Sequence, residues 1–173
     1  MTNILAILQA RVSSSRLPGK VLKPIMGRPM LALQIMRVLQ AKNIDQLIIA
    51  TSTDSSDDEL ETLCQKINAP CYRGSLNDVL ERFYQAAQIW KPKHVVRITG
   101  DCPLIDPEVI DDVITFYLDG DYDYASNSVE PTFPDGLDVE IFRFSILEEA
   151  WKEACLPSQR EHVTPFIHDQ PDR

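Results

Sequence analysis

The segment HVVRITGDCPLIDP, residues 94–107, contains the parts of one α/β unit in succession. Its first six residues, His94–Thr99, are rich in β-branched side chains and lie between Pro92 and Gly100, a pattern typical of a buried strand. The Asp-Pro pair at 106–107 supplies an N-cap and a residue suited to the first helical turn. The segment therefore predicts a strand, a polar loop and a helix.

The same alternation continues on the N-terminal side of this unit. Short apolar runs predict three further strands, at residues 4–8, 47–50 and 69–72. Apolar residues at helical spacing, with start signals at Pro29, Ser56 and Asn77, predict the intervening helices, the first ending before Asn43. Because parallel strands need a crossover connection, this order predicts an α/β fold with a mostly parallel sheet covered on both faces.

The pattern changes after residue 122. It predicts strands at 124–128 and 137–142 and helices at 145–153 and from about 158. We expect this part to form an irregular cover over the sheet. The chain has 173 residues and no segment that resembles a linker, so we expect residues 1–173 to form a single domain.

Composition argues against several classes of protein. The longest stretch without a charged side chain, residues 1–10, is too short to span a bilayer or to form a secretory signal, so we expect a cytoplasmic protein without a membrane partner. Four scattered cysteines indicate neither a disulfide framework nor a zinc site. The formal net charge of −9 argues against a nucleic-acid partner, yet residues 1–44 hold seven Lys or Arg and no acidic residue. An anion could dock at this end.

The polar residues after each predicted strand are the candidates for a site, because ligands in open α/β sheets bind beyond the carboxyl ends of the strands. These loops, which we expect to share one edge of the sheet, are residues 9–20, 51–54, 73–75 and 100–101. The first loop, QARVSSSRLPGK, has small residues whose amides can approach an anion, together with Arg11, Arg16, Gly19 and Lys20. It has the composition of a phosphate cradle.

This loop lacks the common nucleotide-binding motifs. There is no GxxxxGK[ST], because Val21 follows Gly19 and Lys20, and no GxGxxG occurs anywhere in the chain. Unit charges about 4 Å apart interact by about 4 kcal/mol at an effective dielectric of about 20, so several cations suit a polyphosphate better than a single carboxylate. A solvated basic loop is the alternative interpretation.

Asp101 is the acidic counterpart of this loop. A Mg²⁺ ion held by one or two carboxylates and by phosphate oxygens would link the two, and the alternative is an Asp101 that caps local backbone amides. In PDGLDVEIF, residues 134–142, Asp138 and Glu140 alternate with apolar residues, which predicts one core face and one polar face. Asp138 could then be a second metal ligand, a contact to a sugar hydroxyl or a surface charge. In REHVTPF, residues 160–166, a structural helix end competes with a site.

Taken in order, six stretches of the chain resemble the spore-coat polysaccharide biosynthesis branch of the cytidylyltransferase superfamily, which is related to the synthetases of CMP-Kdo and CMP-sialic acid. These stretches are QARVSSSRLPGKVL, ATSTDSSDDEL, RGSLNDVLERF, RITGDCPLIDPEVID, PDGLDVEIF and REHVTPF. The resemblance covers about residues 3–168. It implies a three-layer α/β/α nucleotide-diphospho-sugar transferase fold, in which a sugar hydroxyl attacks the α-phosphorus of CTP and pyrophosphate leaves.

The resemblance also implies roles for individual residues. It assigns the CTP phosphates to Arg11, Ser13, Arg16 and Lys20, and Mg²⁺ to Asp101, with Arg11, Lys20 and Asp101 as the catalytic set. Candidates for contacts to the base and ribose are Gln9, Thr53, Arg73 and Asp78. Candidates for contacts to the acceptor sugar are Asp135, Asp138, Glu140, Arg160 and His162.

One departure from the family pattern affects these expectations. Members of this branch usually continue into a stretch of the type VDxPEDF, which is absent here because the sequence ends at HDQPDR. Either the chain is shortened or Asp138 takes the place of the missing acid. Two other functions stay open. One is a glycosyltransferase that uses a nucleotide sugar, although the DxD motif expected near Asp101 is missing. The other is a non-catalytic nucleotide- or sugar-binding module.

The sequence also bears on the oligomeric state. An unpaired late strand would favour a homodimer.

Overall fold

The computed structural model describes residues 3–14 and 17–170. Within them the strands are β1 (Ile4–Gln9), β2 (Pro24–Ile25), β3 (Arg28–Pro29), β4 (Gln46–Ser52), β5 (Cys71–Gly74), β6 (His94–Thr99), β7 (Tyr124–Ser126) and β8 (Glu140–Arg143). The helices are α1 (Met30–Val38), α2 (Asp58–Lys66), α3 (Val79–Trp90), α4 (Pro107–Asp119), α5 (Phe144–Glu153), α6 (Pro157–His162) and α7 (Pro165–His168). No helix in this part of the chain has the length and apolarity needed to cross a membrane.

Six strands form one sheet in the order β5-β4-β1-β6-β8-β7. The first four are parallel, whereas β8 runs antiparallel to β6 and to β7. The strands β2 and β3 form a separate two-stranded hairpin. The predicted α/β fold with a mostly parallel sheet is confirmed.

Both faces of the sheet are covered, which explains the continuous apolar runs of its strands. In β1, Ile4, Ala6 and Leu8 pack into one core cluster with side chains of α1, α2 and α4. The alternate residues Leu5 and Ile7 belong to a second cluster with side chains of α3 and α5. Three layers result, with the sheet in the middle.

The strand register brings two of the predicted loops together. Gln9 of β1 lies opposite Thr99 of β6, so the loops that follow these strands begin at the same level. The amide of Gly100 donates a hydrogen bond to the carbonyl of Gln9 at 2.7 Å. A Cβ at position 100 would lie 2.7 Å from that oxygen and 2.8 Å from the Cβ of Ala10, so this close approach requires glycine.

The expectation that the region after residue 122 forms an irregular cover is wrong, because β7 and β8 extend the sheet itself. The polar face predicted for residues 137–142 is also wrong at Glu140, whose side chain is buried along with Val139 and Ile141. Both faces of β8 are covered, so alternation of polar and apolar residues does not mark an exposed face here.

Two predicted helix starts are shifted. Asp54, rather than Ser56, caps the first turn after β4, since its carboxylate accepts a hydrogen bond from the Ser56 amide at 2.9 Å, and α2 begins at Asp58. Asp78, rather than Asn77, caps α3 by accepting from the Glu81 amide at 2.9 Å. In each case a neighbouring polar residue competes for the same role, and only the backbone path selects one of them.

Candidate active site

A cavity of about 930 Å³ opens at the carboxyl edge of the sheet. It lies between the loops that follow β1 and β6, the loop that precedes β8, the N-terminal part of α3 and the end of α6. The predicted site residues that line it are Gln9, Arg11, Lys20, Asp101, Asp135, Asp138 and His162. The loops at 51–54 and 73–75 do not line it, so only two of the four predicted loops reach the cavity.

A buried carboxylate holds the first loop in place. Asp57 accepts hydrogen bonds from the amide of Val12 at 2.7 Å, from the amide of Ser52 at 3.1 Å and from the Ser52 hydroxyl. These contacts tie the loop after β1 to the end of β4. Sequence reasoning missed Asp57, because nothing in the acidic run DSSDDE distinguishes it from its exposed neighbours.

The remainder of the first loop turns back toward β6. Gly19 adopts a left-handed conformation, with φ of 70°, and its amide donates to the carbonyl of Val12 at 3.0 Å. A single 3-10 turn, Lys20–Leu22, follows and buries Val21. This anchor fixes the backbone from which the Lys20 side chain projects.

Lys20 and Asp101 form an ion pair in the cavity lining. The Nζ of Lys20 lies 2.8 Å from Oδ2 of Asp101, with the two side chains 23% and 41% exposed. Partial burial acts to raise the pKa of Asp101, but hydrogen bonds from Lys20 and Thr99 and the Lys20 charge outweigh it and leave that pKa below its usual value. Asp101 is therefore an ionised carboxylate at neutral pH.

The wall beside Asp101 is acidic. Burial raises the pKa of Asp138, and the carboxylates of Asp135, Glu140 and Asp101 raise it further, against an opposing effect of Arg97. Among residues 3–14 and 17–170, no group of three His, Cys, Asp or Glu side chains could hold a metal by itself. Asp101 and Asp138, whose charges interact, are carboxylates in the cavity lining that could contribute to a divalent-cation site.

Three cations also line the cavity. Besides Arg11 and Lys20 they include Arg82, which is only 2% exposed. Sequence reasoning missed Arg82, although a signal was present: with Val79 and Phe83 it occupies the apolar face of α3 at helical spacing. Because this face of the helix packs against the core, a charged residue at such a position is expected to be buried.

Glu140, predicted to contact the acceptor sugar, has structural partners instead. It forms an ion pair with Arg97 of β6 and accepts a hydrogen bond from the Tyr124 hydroxyl at 2.8 Å. Burial and the Glu140 charge raise the pKa of Tyr124, so this hydroxyl remains a donor. Arg97 also reaches the Oε1 of Gln9 at 3.2 Å. This network fixes the side chains of Gln9 and Arg97 at the floor of the cavity.

Arg73, a predicted base or ribose contact, lies away from the cavity. Its guanidinium pairs with Asp58 and Glu61, each at 2.7 Å, and donates to the Ser52 carbonyl at 2.8 Å. Thr53, predicted for the same role, does not line the cavity, and its amide is taken by the carbonyl of Gly74 at 2.9 Å.

Asp78 and Arg160 likewise bind each other rather than the cavity. Arg160 Nη2 lies 2.6 Å from Asp78 Oδ2, and Nη1 donates to the Trp151 carbonyl at 2.7 Å. This pair ties α6 to the start of α3 and so places His162 at the cavity wall. Ser13 is exposed and outside the cavity lining, which includes its neighbour Ser14. Arg16 lies outside the described residues.

The cavity lies at the carboxyl edge of a mostly parallel sheet, where α/β proteins bind their ligands, and comparison with known sequences specifies the family. The family model described as Cytidylyltransferase matches residues 5–173, and the chain belongs to this family. The chain is 39% identical over 178 residues to the spore coat polysaccharide biosynthesis protein SpsF of Bacillus subtilis, covering 99% of this chain and 72% of that protein. The resemblance inferred from the sequence is confirmed.

Solved structures agree with this assignment. A cytidylyltransferase from Leptospira borgpetersenii matches with a TM-score of 0.94 and 32% identity, covering 99% of this chain and 73% of that one. The structure of CMP:2-keto-3-deoxy-manno-octonic acid synthetase complexed with CTP matches with a TM-score of 0.73, covering 94% of this chain and 83% of that one. At 19% identity the second likeness shows the fold alone.

Proposed function

We propose that this chain transfers the cytidylyl group of CTP to a hydroxyl of a small sugar, with release of pyrophosphate, for the synthesis of a surface polysaccharide or glycan. Membership in the cytidylyltransferase family and the likeness to SpsF support this function. The observation that carries it is the placement of Lys20 and Asp101, 2.8 Å apart, in one cavity with Arg11 and Asp138.

Arg11 and Lys20 take the triphosphate in this proposal. Their charges offset the repulsion that an acidic protein exerts on the polyanion. The sugar hydroxyl releases its proton to water as its oxygen attacks the α-phosphorus, and the bond from that phosphorus to the bridging oxygen of the β-phosphate breaks. These cations stabilise the negative charge that develops on pyrophosphate. Lys20 exchanges Asp101 for a phosphate oxygen when the nucleotide binds.

Asp101 and Asp138 would hold Mg²⁺. The ion would neutralise phosphate charge and orient the reacting oxygens. Burial and repulsion from Asp135, Glu140 and Asp101 raise the pKa of Asp138. A divalent cation would offset this repulsion. Asp135 and His162, which line the same cavity, remain the candidates for contacts to the acceptor, and Gln9 for contacts to the base or ribose.

Several expectations about the surroundings of the protein stay predictions. These are the cytoplasmic location, the single domain, the absence of nucleic-acid and membrane partners, and the homodimer. For the last, β5 and β7 are the edge strands of the six-stranded sheet. Each is short, with four and three residues, which limits the edge open to pairing.

Pyrophosphate release tests the proposed function. The protein is incubated with CTP, Mg²⁺ and a panel of sugars that includes Kdo and sialic acid, and we expect release that depends on CTP and on one class of sugar. Asp101→Asn should reduce the rate at least a hundredfold, whereas Asp112→Asn, on the exposed side of α4, should leave it unchanged. Hydrolysis of a ready-made nucleotide sugar without any turnover of CTP would contradict the proposal.

A further inference from the structure

Arg82 is a buried cation that forms no ion pair within the part of the chain that the structure describes. It is 2% exposed, and its Nη1 donates to the carbonyl of Ser75. Its Nε is buried and has no hydrogen-bond partner among the residues that the structure describes. A buried charge is normally paired, since removal from water costs free energy that only a partner restores.

The two carboxylates whose charges stabilise the charged form of Arg82 already have other partners. Asp57 accepts hydrogen bonds from Val12 and Ser52, and Asp78 is paired with Arg160 while it caps α3. Both act on Arg82 only through their charge. Neither therefore supplies the direct pairing that a buried guanidinium needs.

A second cation lies near enough to repel Arg82. Burial and the charge of Arg11 lower the pKa of Arg82 to about 10, against the opposing effects of Asp57 and Asp78. Arg82 therefore stays charged at neutral pH. Both arginines line the cavity, Arg11 from the exposed loop and Arg82 from the rigid helix α3.

We propose that Arg82 and Arg11 together form an anion site in which one phosphate group of the bound nucleotide lies between the two guanidinium groups. An anion there would relieve the repulsion between the arginines and would pair the buried charge of Arg82. The inference rests on the proposed function and adds to it a phosphate contact from α3.

Direct binding measurements test this site. Isothermal titration with CTP, pyrophosphate and cytidine is compared for wild type, Arg82→Met and Arg82→Lys, and we expect Arg82→Met to weaken CTP and pyrophosphate at least tenfold while cytidine is unaffected. Arg82→Lys, which keeps the charge, should lose less. Arg143→Met is the matched control, because Arg143 carries the same charge and pairs with Asp121 and Asp123 away from the cavity lining.

The melting temperature separates the anion site from a purely structural role for Arg82. According to the proposal, Arg82→Met without ligand melts at the same temperature as wild type or above it, because an unpaired buried charge has been removed. A purely structural role predicts a lower melting temperature. Unchanged affinity for pyrophosphate and CTP in Arg82→Met would overturn the inference, as would an equal loss for cytidine. If wild type binds both anions but turns over no sugar, only the proposed function fails. If it binds neither anion, both fail.

Discussion

Replacement of Lys20 by Gln separates the binding role of this side chain from its role in stability. Two unit charges about 4 Å apart attract by about 4 kcal/mol at an effective dielectric of about 20, but by about 1 kcal/mol in water. The Lys20 and Asp101 side chains are 23% and 41% exposed, so the lower limit applies. We expect Lys20→Gln to change the free energy of unfolding by about 1 kcal/mol or less.

The same substitution should have a larger effect on the nucleotide. A hydrogen bond from a charged donor contributes about 1.5–3 kcal/mol, which corresponds to roughly a 10- to 150-fold loss of affinity for CTP. Isothermal titration with CTP and Mg²⁺ measures this loss, and urea denaturation measures the stability. Lys23→Gln is the matched control, because Lys23 is exposed three residues further along and does not line the cavity.

The reasoning about Lys20 would be refuted by the opposite pattern. If Lys20→Gln lowered stability by several kcal/mol and left the affinity for CTP unchanged, Lys20 would be a structural partner of Asp101 and nothing more. A double-mutant cycle with Asp101→Asn, measured without nucleotide, checks the small size of the direct coupling.

Two further predictions concern the carboxylates of Asp57, which anchors the first loop, and Asp138, which lines the cavity. Asp57→Ala should destabilise the protein by about 2–4 kcal/mol in urea denaturation, because it leaves the Val12 and Ser52 amides without their acceptor. The control Asp58→Ala removes an exposed ion pair with Arg73 and should cost about 1 kcal/mol or less. Equal effects of the two substitutions would contradict the role given to Asp57. Asp138→Asn should raise the free energy of unfolding at pH 7 without added metal, because a carboxyl whose pKa is raised on folding opposes folding when it is ionised. That gain should disappear below the ordinary value of 3.8, where Asp138 is protonated in both states, and a gain that persisted at pH 3 would have another cause.

Local patterns were sufficient to predict most of the sheet and the opposed groups of the site. The parallel strands β1, β4 and β6 follow from apolar runs that only two covered faces can accommodate. The approach of Lys20 to Asp101 follows from topology, because parallel neighbouring strands bring the loops at their carboxyl ends to one edge. These features depend on residues close together in the chain and on rules of connection that hold for all α/β folds.

Side-chain pairing was decided by tertiary structure alone. Arg73, Glu140 and Arg160 have the residue types of binding groups, yet each is taken by a partner that is 12 to 82 residues away in sequence. Arg82, in contrast, became a site residue because none of the acids that influence it is free to pair with it. The fold decides whether a charged side chain lies in the cavity, as Lys20 and Arg82 do, and which residue it pairs with. The local sequence around a residue does not contain that information, because the partners are distant in the chain.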